Sequence, residues 1–363
     1  ADLSEADPFA GPADPALLSR GPHPDLELFD ASVDGLDAEE ALARATRVER
    51  IALDSDKRIT LSQGATLSRV SGWSALVLSS GFSGVQRGSY VSLSVTPVVE
   101  DEGGKKRRGS YWTAHRHLAS LESEAQVGQR AAERTLRQLG ARKVETCQAP
   151  IVFDTDAARS ILGCFVGCAN GGAVWRKSSY LNEREQTSVA SALVTIVDDP
   201  LIPRGPSSRA FDGEGLASRR NVLVKEGVLQ TFLLDSYSAR KLNKASTASA
   251  RRSGGGVSAS SSNVFLEPGQ QTAEQIIAST ERGLYVTEMM GFGFNAITGD
   301  FSRGASGFWI ENGKLTFPVS EVTISGNLDR MLKDIDAIGS DLELKSSTAA
   351  PTFRVANMTI AGT

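Results

Sequence analysis

Over residues 59–118, apolar or bulky side chains recur at every second position. No other feature of the chain restricts its fold as much. Ala75 and Val77 carry the pattern, then Tyr90, Val91, Leu93 and Val95, then Tyr111, Thr113, His115 and His117. Gly81, Gly84, Gly88 and the Gly103-Gly104 pair punctuate it. Successive side chains of a strand point to opposite faces, so a period of two broken by glycines predicts an antiparallel meander. Helical patterns flank it. The first covers residues 37–54, with Asp37 and Glu40 as a capping-box-like pair and Leu42, Val48, Ile51 and Leu53 as apolar positions. The second covers residues 122–139 and is closed by Gly140 at C′.

A domain boundary is expected over residues 141–150, giving an N-terminal α+β domain over 1–145 and a β-rich C-terminal domain over 146–363. In the second domain, residues 154–169 read as a short central helix and 191–197 as a strand. Residues 221–234 read as a hairpin turning at Glu226-Gly227, and 308–317 as one turning at Asn312-Gly313, a pair that favours a type I′ turn. Helices are expected from Thr272, capped with Gln275, and over 327–338. Residues 245–262 are almost wholly Ser, Gly, Ala and Arg, and with little to bury they read as a mobile loop. The class is α+β. The first dozen residues, acidic and bearing Pro and Gly, read as a disordered stretch or the stub of a longer chain.

Composition narrows the function. With 40% apolar and 23% charged residues the chain is globular, and a net charge of −4 carries no nucleic-acid signature. The basic run Lys105-Lys106-Arg107-Arg108 reads as a solvated loop. Three cysteines, Cys147, Cys164 and Cys168, argue against a disulfide framework and fit a reducing, cytoplasmic setting. No stretch approaches the roughly 20 apolar residues that cross a bilayer. No Gly-x-Ser-x-Gly elbow and no Walker-type loop occurs. Gly291-Phe-Gly-Phe-Asn295 does not open a helix, and Asp198-Asp199 before Pro200 reads as a strand-end turn.

The central helix holds the most informative residues. Ile161, Leu162, Phe165, Val166 and Ala169 define a core face; Gly163 and Gly167 lie roughly opposite, and Cys164 and Cys168 on the flank. Glycine within a helix costs about 1 kcal/mol relative to alanine, so another backbone is expected to approach closely there. Two cysteines at i, i+4 could bind a metal together with His115 and His117, which share a strand face. The simpler reading makes the cysteines buried side chains and the histidines a surface pair.

Three segments then carry a resemblance. They are this helix through Ala-Asn-Gly-Gly-Ala-Val-Trp175, Ser236-Tyr-Ser-Ala-Arg-Lys-Leu242, and Asn295-Ala-Ile-Thr-Gly-Asp-Phe-Ser-Arg-Gly-Ala-Ser-Gly-Phe-Trp-Ile-Glu-Asn-Gly313 running on through Pro318 to Asn327. The chain resembles the PmbA/TldE branch of the TldD/PmbA family over nearly its whole length. In the TldD branch the helix carries His-Glu-x-x-x-His, two zinc ligands and a general base, with a further cysteine ligand from a C-terminal loop. Those positions here are Gly163, Cys164 and Cys168, and the loop at 347–351 has no cysteine. The resemblance therefore implies a non-catalytic subunit without its own cofactor. Zinc is expected only in a TldD-like partner, the pair forming a heterodimer that degrades unfolded or small peptides. Asn295, Thr298, Asp300, Ser302 and Arg303 are the candidate peptide or partner contacts. The alternatives are a stand-alone homodimeric peptide-binding module and a residual metallopeptidase with a cysteine-based metal site. The family's other label, modulator of DNA gyrase, finds no support in the charge distribution.

Overall fold

A computed structural model describes residues 7–363, so the reading of the first dozen residues lies in part outside the described residues. Residues 7–12 are tied to the C-terminal half: the Tyr237 hydroxyl donates to Asp7 at 2.6 Å, and the Arg240 guanidinium donates to the Phe9 carbonyl at 2.9 Å.

In chain order α1 (Ala31–Asp34) and α2 (Ala38–Asp54) precede β1 (Ile59–Val77), β2 (Ser83–Glu100), β3 (Lys106–Arg108), β4 (Tyr111–His115) and α3 (Glu124–Leu136). The strands form one antiparallel sheet in which β2 pairs with β1, β3 and β4. The alternation turns Val91, Leu93, Val95 and Tyr111 inward. Asp37 caps α2 by accepting the Glu40 N–H at 2.8 Å. The buried face of α2 is Ala45, Val48 and Ala52, whereas Leu42 is exposed. Small residues are needed there because α3 crosses closely: a Cβ at Gly128 would lie 2.7 Å from Ile51. Helix α3 starts with a Ser123–Gln126 capping box and stops at Leu136, short of residue 139, with Gly140 left-handed just beyond (φ 74°). The basic run is not a solvated loop. It forms β3, with Arg107 buried against Asp101 at 2.8 Å and donating to Ser320 at 2.9 Å.

The second half continues with β5 (Cys147–Phe153), α4 (Thr155–Cys168), α5 (Gly171–Trp175), β6 (Ile196–Asp198), β7 (Asn221–Lys225), β8 (Val228–Leu229) and α6 (Ser236–Lys241). Then come β9 (Ala250–Ser253), β10 (Gly256–Ala259), β11 (Val264–Leu266), α7 (Ala273–Ala278), β12 (Arg282–Met290), β13 (Asp300–Glu311) and β14 (Lys314–Asn327). Last are α8 (Leu328–Lys333), β15 (Ile335–Ile338), β16 (Thr348–Ala349) and β17 (Phe353–Ala361). One sheet runs β14-β13-β12-β5-β17-β15, and an added β14–β17 pairing closes all but β15 into a ring. A second sheet runs β16-β11-β6-β7-β8. Helix α4 lies between the two, with Ile161 and Phe165 in a shared core with Phe153, Ile196, Val264 and Phe353.

The two expected hairpin turns form, with positive φ at both positions: Glu226 47° and Gly227 80°, Asn312 50° and Gly313 71°. The Thr272–Gln275 capping box opens α7. Three expectations are corrected. The strand expected over 191–197 is confined to β6. The helix expected over 327–338 ends at Lys333, because Ile335 and Ile338 pair with β17 as a strand. Residues 245–262 are not a mobile loop: they contain the β9–β10 hairpin, and Thr247, Ser249 and Ser262 are buried. Hydrogen bonds in place of apolar contacts hold this segment. Thr247 Oγ1 accepts the Leu234 N–H at 2.7 Å, and the Ser262 hydroxyl donates to Asp198 at 2.8 Å.

Candidate functional site

Helix α4 begins at Asp154, whose carboxylate accepts the Ala157 N–H at 2.9 Å. Burial pushes this carboxyl up to about 7. Along the helix Ala157, Ala158, Ile161, Leu162, Phe165 and Cys168 are buried. Cys168 therefore lies in the core and not on the flank, and its thiol is pushed up to about 12 by burial. Cys164 is half-buried; burial raises its thiol, opposed by the neighbouring Arg303 charge.

Among the described residues no backbone neighbour approaches Gly163 or Gly167, contrary to expectation. Both are exposed, and a Cβ at either would meet no described atom within 4 Å. Beside this helix lies β16, which packs on α4, and Arg159 donates to Ser346 at 3.5 Å.

The sequence-selected loop converges on the helix through one side chain. Arg303, on β13, donates from Nη1 to the Ser160 hydroxyl at 2.9 Å and from Nη2 to Cys164 Sγ at 3.4 Å, while its Nε is buried without a partner. The guanidinium thus rests on two side chains of α4, Ser160 and Cys164. Asn295, Thr298 and Asp300 are engaged within their own loop. Asn295 Oδ1 accepts the Ile297 N–H at 3.0 Å, and Thr298 donates to Asp300 at 2.6 Å. Asn327 donates to Asp300 at 3.1 Å. The Thr298 and Asn327 hydrogen bonds hold the Asp300 carboxyl below the usual carboxylate range. Ser302 is exposed. The Ala296 carbonyl of the loop accepts the Tyr180 N–H, in the turns after α5, at 2.8 Å, and lies 3.7 Å from Cys168 Sγ at the end of α4.

Sequence reasoning missed Ser160, Tyr180 and Phe292. Tyr180 has a buried hydroxyl without a partner, and burial raises it well above the usual phenol range. Phe292 is 98% exposed near Met290 and Ile297, which are also exposed. No local pattern announces such a solvent-facing phenylalanine. Alongside the first turns of α4 runs a cavity of about 410 Å³, lined by Trp112, Arg134, Arg137, Arg159 and Ser160 among others.

His115 and His117 do not join the cysteines. The His117 N–H donates to His115 Nδ1 at 3.0 Å, and His117 Nε2 lies 2.9 Å from the Glu27 carbonyl oxygen. Among the described residues no three His, Cys, Asp or Glu side chains are grouped to hold a metal. The four-ligand arrangement is therefore corrected: β4 pairs with β2 and ends at His115, and His117, just beyond the strand, meets Glu27 of the N-terminal segment.

Fold and site together define an α+β protein in which helix α4 packs between two β-sheets. Residues 32–139 match the PmbA/TldA metallopeptidase central domain, and residues 146–362 match the C-terminal domain of the same family. The chain belongs to the PmbA/TldD family. It is 38% identical over 362 residues to the metalloprotease PmbA of Escherichia coli O157:H7, covering 100% of this chain and 78% of that one. A crystal structure of a candidate modulator of DNA gyrase from Bacteroides thetaiotaomicron superposes with a TM-score of 0.92 at 31% identity, covering 100% of this chain and 80% of that one. TldE from Thermococcus kodakarensis shares the fold, with a TM-score of 0.85 at 21% identity over 99% of this chain and 82% of that one.

Proposed function

We propose that this chain is the non-catalytic, cytoplasmic subunit of a two-subunit peptidase, pairing with a TldD-like chain that carries the zinc and acting on unfolded or small peptides. Arg303 carries this reading. Its guanidinium contacts Cys164, the position of the general base, at 3.4 Å. A fixed cation there repels a dication at close range. With Gly163 and a buried Cys168 as the other two positions, the donor set does not fit zinc. No step of hydrolysis is assigned to these residues.

Two further features support a docking role. The large C-terminal sheet closes on itself, which leaves β1 as a long edge strand paired on one side with β2. Val70, Trp73 and Val77 on β1, and Val85 on β2, are each more than 60% exposed. An unpaired edge with apolar neighbours suits strand addition by a peptide or a partner surface.

The test is peptidase assay of this chain alone, of a TldD-like chain alone and of the mixture, with metal analysis of each. Activity and zinc are expected to follow the TldD-like chain, and activity to rise in the mixture. Hydrolysis by this chain alone, abolished with Cys164→Ala, would make it a residual metallopeptidase instead. A stable homodimer that never binds a TldD-like chain would make it a stand-alone peptide-binding module.

No helix among the described residues is long and apolar enough to cross a membrane.

A further inference from the structure

Arg209 presents an imbalance that the α4 site does not explain. It lines a cavity of about 490 Å³ between the β1–β2 hairpin, at Ser74 and Gln86, and the C-terminal segments at Phe211 and Arg251. Its Nε and Nη2 are buried and have no hydrogen-bond partner among the described residues. These two groups form one edge of the guanidinium, the fork whose parallel N–H bonds match the two oxygens of a carboxylate or phosphate. Buried donors in folded proteins nearly always have a partner, so an empty fork calls for a guest.

The carboxylates whose charges act on Arg209 are Asp198 and Asp212, and both are engaged elsewhere. Asp198 accepts the Ser262 N–H at 2.6 Å and its hydroxyl at 2.8 Å. Asp212 accepts the N–H groups of Glu214 at 2.9 Å, Leu216 at 3.0 Å and Ala250 at 3.0 Å. Burial raises both carboxyls, opposed by the Arg209 charge. The other charged residues lining the cavity are Arg116, Arg251 and Arg252, with Asp212 the single carboxylate among them. Arg116 is immobilised by the carbonyls of Gly205 at 3.0 Å, Ser89 at 3.1 Å and Pro206 at 2.6 Å, and Arg252 by that of Gly213 at 2.7 Å. A concave site walled by four guanidiniums and one carboxyl excludes cations and concentrates anions. Water in the fork would satisfy its donors but would bring no counter-charge of its own.

The geometry points to an oxyanion site in which Arg209, through Nε and Nη2, holds the carboxylate or phosphate group of a small ligand, with Arg251 and Arg252 at its rim. Because the walls come from the hairpin and from the C-terminal segments, the ligand would also fasten one to the other.

Thermal unfolding and calorimetric titration of the full chain test this, using inorganic phosphate in one arm and succinate in the other. Sodium chloride at matched ionic strength is the control. A saturable rise in Tm and a one-to-one isotherm with either anion are expected, and the arm that responds identifies the source of the oxyanion. Arg209→Lys keeps the charge and loses the fork, so affinity should fall by roughly tenfold or more. The double variant Arg251→Ser/Arg252→Ser leaves the buried arginine in place and should weaken binding several-fold, which decides the matter if Arg209→Lys does not fold. Neither anion shifting Tm beyond chloride would overturn the site. So would wild-type affinity in both variants, or in the double variant alone if Arg209→Lys does not fold.

Discussion

Helices α3 and α4 both carry glycine in their interior, for opposite physical reasons. At Gly128 on α3 a side chain would strike Ile51 at 2.7 Å and the Val48 carbonyl at 3.0 Å. The absent Cβ lets α2 and α3 approach, and Val48, Ala52, Val127 and Ala131 bury together with Leu93 and Val95. At Gly163 and Gly167 on α4 a side chain would meet nothing. Each interior glycine costs about 1 kcal/mol relative to alanine. The first is offset by packing, while the other two have no compensation within the chain. A local conflict without internal compensation is a mark of functional surface.

The contrast breaks most readily at Gly128. Gly128→Ala should destabilise the protein by about 1–3 kcal/mol, the usual cost of overpacking, measured by urea unfolding. Combining it with Ile51→Ala should cost less than the sum of the two single changes, because they share one contact. A neutral Gly128→Ala would remove the close-packed half of the comparison.

The capped start of α4 gives an effect that depends on pH and has a definite sign. Asp154 titrates near 7 in the folded chain, against an ordinary value of 3.8, so the native state binds its proton more tightly than the unfolded state. Its contribution to stability is full below about pH 4 and is lost as pH rises through about 7. Asp154→Asn keeps a capping oxygen and removes the buried charge. It should flatten the stability profile between about pH 4 and 7 and raise stability at pH 8 by roughly 1–3 kcal/mol. An unchanged slope in denaturation across that range would show that Asp154 is charged at neutral pH.

Legibility from sequence followed how local the cause was. The β1–β2 hairpin, the Asp37 and Thr272 caps and the Glu226-Gly227 and Asn312-Gly313 turns depend on a few adjacent residues, and they are where the pattern places them. Residues 335–338 look helical after α8 but pair with β17, a partner distant in sequence. Residues 245–262 offer almost nothing apolar, yet Ser262 is held by Asp198 and Thr247 by Leu234. Composition reports apolar burial and is silent about polar satisfaction. That Gly163 and Cys164 offer neither imidazole nor carboxylate is legible in the helix alone. The contact of Arg303 with Cys164 is not, since 139 residues separate the two and only the β13 register brings them together.

The smallest effect sharpens the comparison furthest. Gly163→Ala and Gly167→Ala should each stabilise the isolated chain by about 0.5–1 kcal/mol, through helix propensity alone. With open space at both positions and no shared contact, the gains should add. Neither change touches Arg303 or the α4 core, so a loss would mean that another backbone does approach this face. The same two variants, mixed with a TldD-like chain, ask what the open face is for. If a peptide or a partner lies against α4 there, added methyl groups should lower the activity or affinity of the mixture while the isolated subunit grows more stable. Opposite signs in those two readouts would separate a surface kept bare for contact from a helix that has merely lost its ligands.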